Sequence, residues 1–152
     1  MLIITQLYRY GLKIRTINNG DHIAKQQTKF PYLSSKQKHT MPHNLIHTAY
    51  TAFNSRDIDT ALTTMHHDVR WPKAFEGDFV TGHDEIREYW TRQWSEINPK
   101  VDPVNITELP DGRLDVEVQQ VVKDLSGTIL FDGTVKHIYT ITDGLIQAME
   151  IG

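Results

Sequence analysis

A chain of 152 residues, 39% hydrophobic and 23% charged, is long enough for one domain with a real core and too short for two comfortable ones. It has no cysteine, which excludes a disulfide framework, a thiolate metal site and a cysteine nucleophile. The net charge of −3 gives no reason to expect a nucleic-acid partner, and no apolar run approaches the length that spans a bilayer.

The charge is unevenly spread. Residues 1–40 carry seven basic groups (Arg9, Lys13, Arg15, Lys25, Lys29, Lys36, Lys38) against one acid, Asp21. The remainder is strongly acidic. The opening segment has no long apolar stretch and no small-residue cleavage site, so a secretory signal is not expected. It lacks the Ser and Arg enrichment of a transit sequence, and KQQTKFPYLSSKQKHT reads as polar linker. Residues 1–40 are therefore read as a basic extension, either a poorly ordered tail or the product of a start set too far upstream. A domain is expected over 41–152. The absence of cysteine is compatible with a cytoplasmic location, which is the expectation.

The first helix is predicted from His43 to Asn54, where Ile46, Ala49, Tyr50 and Phe53 make one stripe and Pro42 suits the first turn. Asp57 is a good N-cap for a second helix carrying Ile58, Ala61, Leu62 and Met65. A short strand, Asp68 to Trp71, is halted by Pro72, and a loop is expected from Lys73 to Val80. Thr81-Gly82-His83-Asp84 has the form of a capping signature before a third helix. On that helix Ile86, Tyr89, Trp90, Trp94 and Ile97 share a face.

From Val101 the period changes to two. Asp111-Gly112 and Asp143-Gly144 predict two-residue hairpin turns, and Leu125-Ser126-Gly127 a slightly longer one. Four sequential antiparallel strands follow, at about 101–109, 113–124, 128–142 and 144–151. The fold class is α+β: three N-terminal helices packed on a curved, mostly antiparallel sheet, forming a cone with an internal pocket.

Two polar residues intrude on apolar rows. Leu114, Val116, Val118, Gln120 and Val122 form one row, and Ile129, Phe131, Gly133, Val135, His137, Tyr139 and Ile141 the other. Buried polar groups require partners or a wet cavity. His137 is the candidate catalytic residue, since an imidazole with an ordinary pKa near ~6.5 moves protons in both directions. Gln120 would orient a substrate, and Trp71, Tyr50, Trp90 and Tyr139 would wall it in. The alternative is a hydrogen-bonded core histidine, whose burial disfavours its charged form. His66-His67-Asp68 has the composition of a metal cluster, but adjacent strand residues are expected to point apart, so no metal site is assigned. No phosphate-binding glycine loop or nucleophile elbow is present, and no cofactor is expected.

The strings AYTAFNSRDIDTAL, HDVRW, TGHDEIREYW and HIYTITDGLI, in that order, resemble the nuclear-transport-factor-2-like superfamily, and within it the SnoaL-like group. The resemblance implies the cone and its pocket, a small apolar ligand, and homodimers through the outer sheet face, where Val121, Leu130 and Ile138 interrupt polar rows. That superfamily holds isomerases, polyketide cyclases, dehydratases, epoxide hydrolases and non-catalytic binding domains, so fold alone does not set activity. The ketosteroid isomerase residues do not carry over: the tyrosine position falls on Ala49, the general-base position on Lys73 and the strand acid on His137. A cofactor-free acid–base enzyme and a non-catalytic ligand-binding or scaffold domain both remain open.

Overall fold

The computed structural model describes residues 35–74 and 76–152, so the reading of the first 34 residues lies outside the described residues. Helix α1 spans Ser35–Asn54 and begins eight residues before the predicted start, with Pro42 inside it rather than in its first turn. Apolar periodicity detects only the buried face of a helix, and Ser35 to Thr40 contribute no apolar residue to it. The predicted stripe does pack inward. Ile46, Ala49, Tyr50 and Ala52 are buried, and Phe53 packs partly buried against them.

Helix α2 is short, Ile58–Thr63, and Asp57 caps it as expected by accepting from the Thr60 amide at 3.0 Å. Met65 does not belong to it. That residue opens strand β1, Met65–Pro72, which is longer than the predicted segment. The expected loop after it contains a three-residue strand, β2, Phe79–Thr81, paired antiparallel with Arg70 to Pro72. Helix α3, Gly82–Glu96, is capped differently from the prediction. The Thr81 side chain makes no cap, and the Glu85 carboxylate instead accepts from the Thr81 amide at 2.7 Å. Gly82, at φ +82°, lets the chain turn within 3.1 Å (measured from the position of an added Cβ) of the His67 carbonyl.

Strands β3 (Ile97–Glu108), β4 (Leu114–Asp124), β5 (Ile129–Thr142) and β6 (Leu145–Ile151) form the predicted meander. Asp143 and Gly144, both at positive φ, make a two-residue turn of the expected kind. The Asp111-Gly112 turn is one residue longer than predicted: Pro110-Asp111-Gly112 lies between Leu109 and Arg113, with Gly112 donating to the Leu109 carbonyl at 2.9 Å. Proline sets the first turn residue and glycine takes the left-handed position, the usual three-residue hairpin.

The strands form one sheet in the order β2-β1-β6-β5-β4-β3. Only the β1–β6 pair is parallel among the described strands, so the sheet is mostly antiparallel and open. Its inner face carries the core: Val69, Val116, Val118, Tyr139 and Ile146 are at most 1% exposed. Burial along β5 is lost toward the β4–β5 turn, where Phe131 is half-buried and Ile129, predicted as core, is 56% exposed. Among the described residues no helix is long and apolar enough to cross a membrane.

Candidate functional site

Elements separated in sequence bring one aromatic group together on the inner face of the sheet. Helix α1 supplies Tyr50 and Phe53, β1 supplies Trp71, α3 supplies Trp90 and Trp94, and β5 supplies His137 and Tyr139. Trp71 meets Trp90 edge to face at 5.4 Å between centroids and lies 6.3 Å from Tyr139. Tyr50 stacks on His137 at 6.0 Å, nearly parallel, and meets Tyr139 at 6.2 Å edge-on. Phe53 extends the array to Trp90 and Trp94. Edge-to-face aromatic pairs are worth about 0.5–1.5 kcal/mol each beyond area burial, so the array is a stable wall as well as a surface.

A hydrogen-bond chain runs through its polar tips. Tyr139 Oη donates to Tyr50 Oη at 2.9 Å, and Tyr50 Oη lies 2.7 Å from His137 Nδ1. The Tyr50 oxygen already accepts from Tyr139, so its own proton is free to go to His137 Nδ1. His137 is 8% exposed, and burial lowers its pKa to about 4. The imidazole is therefore neutral at pH 7. Burial also pushes the Tyr50 and Tyr139 hydroxyls upward, so the whole chain is uncharged.

Five of the six residues singled out from sequence (His137, Tyr50, Trp71, Trp90 and Tyr139) thus lie in one connected group. Gln120 does not join them. It pairs across the sheet with Gly133, whereas His137 pairs with Val116, four residues away along β4. At ~3.3 Å per residue that is roughly 13 Å along the strand. Gln120 is half-buried and makes no side-chain hydrogen bond among the described residues. A surface groove of about 580 Å³ lies elsewhere, on the outer side of the α1–α2 hairpin, lined by Asn44, His47, Thr51, Ser55, Asp57 and Thr60 among others.

Sequence reasoning missed two polar features of this region. Trp94 Nε1 is buried and has no hydrogen-bond partner among the described residues, while the Arg56 guanidinium covers its ring at 4.8 Å. Tyr89 Oη accepts from the Ala74 amide and from Gln93 Nε2, each at 3.1 Å, and burial pushes its pKa up to about 12. The aromatic spacing of α3 marked both rings as buried, but nothing in a one-dimensional pattern assigns partners to their polar atoms.

The expectation that His66, His67 and Asp68 diverge is corrected. Their ligand atoms all lie within 4.8 Å of one another. The cause is a register shift between Met65 and Arg70, which takes this stretch of β1 out of step with β6 and breaks the strand alternation. His66 Nδ1 donates to Asp68 Oδ1 at 2.5 Å, and Gln147 Nε2 donates to the same oxygen at 2.9 Å. These bonds hold the Asp68 carboxyl below its ordinary pKa, Gln147 contributing most. The three side chains cluster on β1, outside the aromatic group.

Residues 46–149 match the family described as the SnoaL-like domain. The chain belongs to that family. Its fold is that of the nuclear-transport-factor-2-like superfamily. TerC, crystallised with polyporic acid, is 28% identical and superposes with a TM-score of 0.65 over 74% of this chain and 90% of its own. A nuclear-transport-factor-2-like protein of unknown function from Burkholderia pseudomallei is 22% identical, with a TM-score of 0.65 over 74% of this chain and 89% of its own. The GPI inositol-deacylase of Chaetomium globosum is 28% identical over 102 residues, which take in 60% of this chain but 9% of that protein. The SnoaL-like chain thus spans under a tenth of that relative's length. Within the SnoaL-like frame the isomerase positions are differently used. Lys73 pairs with Glu76 and Asp78 at 3.4 and 3.7 Å, and Ala49 is simply buried beside Tyr50.

Proposed function

We propose that this SnoaL-like domain binds a small, largely apolar molecule between the helices and the inner face of the sheet, without performing acid–base chemistry on it. Tyr50, Trp71, Trp90 and Tyr139 wall the ligand, and His137 makes a polar contact with it. The observation that carries this reading is the Tyr50 hydroxyl filling His137 Nδ1 inside the aromatic group. An imidazole already engaged on one nitrogen, with a pKa of about 4, is a poor match to proton abstraction near neutral pH. TerC supports the ligand class, because it was crystallised with polyporic acid. The similar structures named as a polyketide cyclase and an epoxide hydrolase are 20% and 15% identical and bear on the fold alone. Gln120, remote from His137, has no part in the contact.

The test separates binding from chemistry. Titration with polyporic acid or with the aromatic ketone 1-tetralone is expected to change the tryptophan fluorescence of the domain and to saturate. With 1-tetralone in heavy water, no exchange of its α-protons above the uncatalysed rate is expected. Exchange that is abolished in His137→Phe would establish the acid–base enzyme instead.

A further inference from the structure

The irregular stretch of β1 gathers three donors that strand alternation would separate. Between Met65 and Arg70 this strand advances five residues while β6 advances two, from Ile146 to Ala148. His66, His67 and Asp68 fall in that surplus, without register partners on β6, and one ligand atom from each comes within 4.8 Å of the others. Bulges re-aim side chains in this way beside functional sites. The first turn of α3 holds the backbone in place. His83 Nε2 donates to the Met65 carbonyl at 3.1 Å, and a Cβ added to Gly82 would lie 3.1 Å from the His67 carbonyl oxygen.

Two imidazoles and a carboxylate are a donor set for a divalent transition-metal ion, whereas magnesium and calcium take oxygen donors. Nitrogen and oxygen donors sit about 2.0–2.2 Å from zinc, so two donors on one ion stand at most roughly 4.4 Å apart. The cluster needs only to tighten slightly to meet that limit. His66 Nδ1 and Asp68 Oδ1, now 2.5 Å apart around one proton, part slightly when an ion takes that proton's place and the imidazole carries its proton on Nε2. Asp68 is already steered, because Gln147 Nε2 donates to the same oxygen at 2.9 Å. Such outer contacts orient metal-ligating carboxylates. The His67 ring makes no hydrogen bond among the described residues, and both His67 and Asp68 are exposed, so an ion reaches them directly from water.

We propose that His66, His67 and Asp68 bind a divalent transition-metal ion of the zinc type, with Gln147 as a positioning residue and water in the remaining coordination positions. The site lies outside the aromatic group and does not depend on the pocket reading.

The test uses the full chain and zinc chloride alone. Calorimetry is expected to show saturable binding of one ion per chain, unchanged by excess magnesium chloride. In imidazole NMR the His66 and His67 ring signals are expected to shift with zinc, while those of His83 and His137 stay. His67→Ala alters an exposed position, and Asp68→Asn still accepts from Gln147, so both variants should fold. Each is expected to weaken zinc binding by about 10-fold or more, since loss even of a group that merely orients a ligand typically costs 10–100-fold. Unchanged affinity in either variant, shifts confined to other histidines, or competition by magnesium overturns the site. Absence of saturable zinc binding in a chain that melts cooperatively overturns it as well.

Discussion

Burial of His137, with no anion beside it among the described residues, makes folding sensitive to mild acid. Its neighbours across the strands are Val116 and Ile151, and the titratable groups in contact, Tyr50 from α1 and Tyr139 from β5, stay neutral. The folded pKa is about 4 against an ordinary value of 6.5. The stability tied to a neutral His137 is thus fully present above pH 6.5. As pH falls from 6.5 toward 4 the unfolded chain takes up a proton that the folded chain resists, and stability is lost, by up to about 3 kcal/mol. Below pH 4 both states are protonated and the loss stops growing. The carboxyls of Asp57, Asp68, Asp111 and Asp124, all held low by hydrogen bonds, begin to lose their contribution only at the acid end of this window, and both proteins carry them. His137→Phe should remove the slope between pH 6.5 and 4. At pH 7 the same change should cost about 1–3 kcal/mol, because the Tyr50 proton loses its acceptor. Urea unfolding of both proteins at pH 7 and 4.5 measures both effects, and equal slopes would contradict the burial argument.

At the scale of elements, the Asn54 side-chain amide ties the helical layer to the far edge of the sheet, beside Arg56, which donates to the Asn98 side chain and the Pro99 carbonyl. Asn54, the last residue of α1, donates from Nδ2 to the Val101 carbonyl at 2.7 Å and accepts on Oδ1 from the Val101 amide at 2.9 Å. It mimics a strand neighbour for β3, whose other edge pairs with β4. Asn54→Ala should therefore cost about 1–3 kcal/mol, since it strips both groups of Val101 at once. Asn54→Asp keeps the acceptor but sets a carboxylate oxygen against the Val101 carbonyl and the Asp102 carboxylate, which the Asn54 amide reaches at 2.7 and 3.4 Å, so it should cost at least as much as alanine, and thermal melts of the two variants check the order. Periodicity in the sequence foretold Asn54 only as a helix stop. That is the general pattern of what was legible. Alternation placed His137 and Tyr139 on the inner face, and helical spacing placed Tyr50 and Trp90 there, because side-chain direction is a local property. Which level of the sheet a residue occupies depends on register, so Gln120 and His137 were assigned to one face without sharing a site. The Tyr50–His137 bond joins residues 87 apart, and the parallel β1–β6 pair joins the first and last of the described strands in chain order. Neither leaves a local trace.

For the whole molecule, the match to the SnoaL-like family and the burial pattern agree on where the folding unit lies: the first residue of the described core is Ile46, and the family match opens there too. A chain beginning at Met41 should still unfold cooperatively, although it loses the first turns of α1. A broad, non-cooperative melt would show that Ser35 to Thr40 belong to the folding unit. Association is the second property at this scale, and we propose the homodimer through the outer sheet face that the family resemblance implies. Its apolar residues do not form one patch. Ile138 sits opposite Asp115 and Val121 opposite Asp132, and between them lie the Glu117–Lys136 and Gln119–Thr134 rungs. Lys136 Nζ reaches Asp115 at 2.8 Å, and Gln119 Nε2 donates to Asp132 at 2.7 Å. Pairing two such faces must desolvate ionic rungs, which offsets part of what Ile138, Leu130 and Val121 gain. The dimer should therefore be modest in affinity. Opposed acidic and basic rungs are screened by ions, so it should also respond to salt. Sedimentation at tens of micromolar, an order-of-magnitude choice for an interface of this kind, should show dimer in the wild type and monomer in Ile138→Glu, with the thermal midpoint of the monomer lowered only slightly. Wild-type monomer throughout that range would remove the sheet face as an interface.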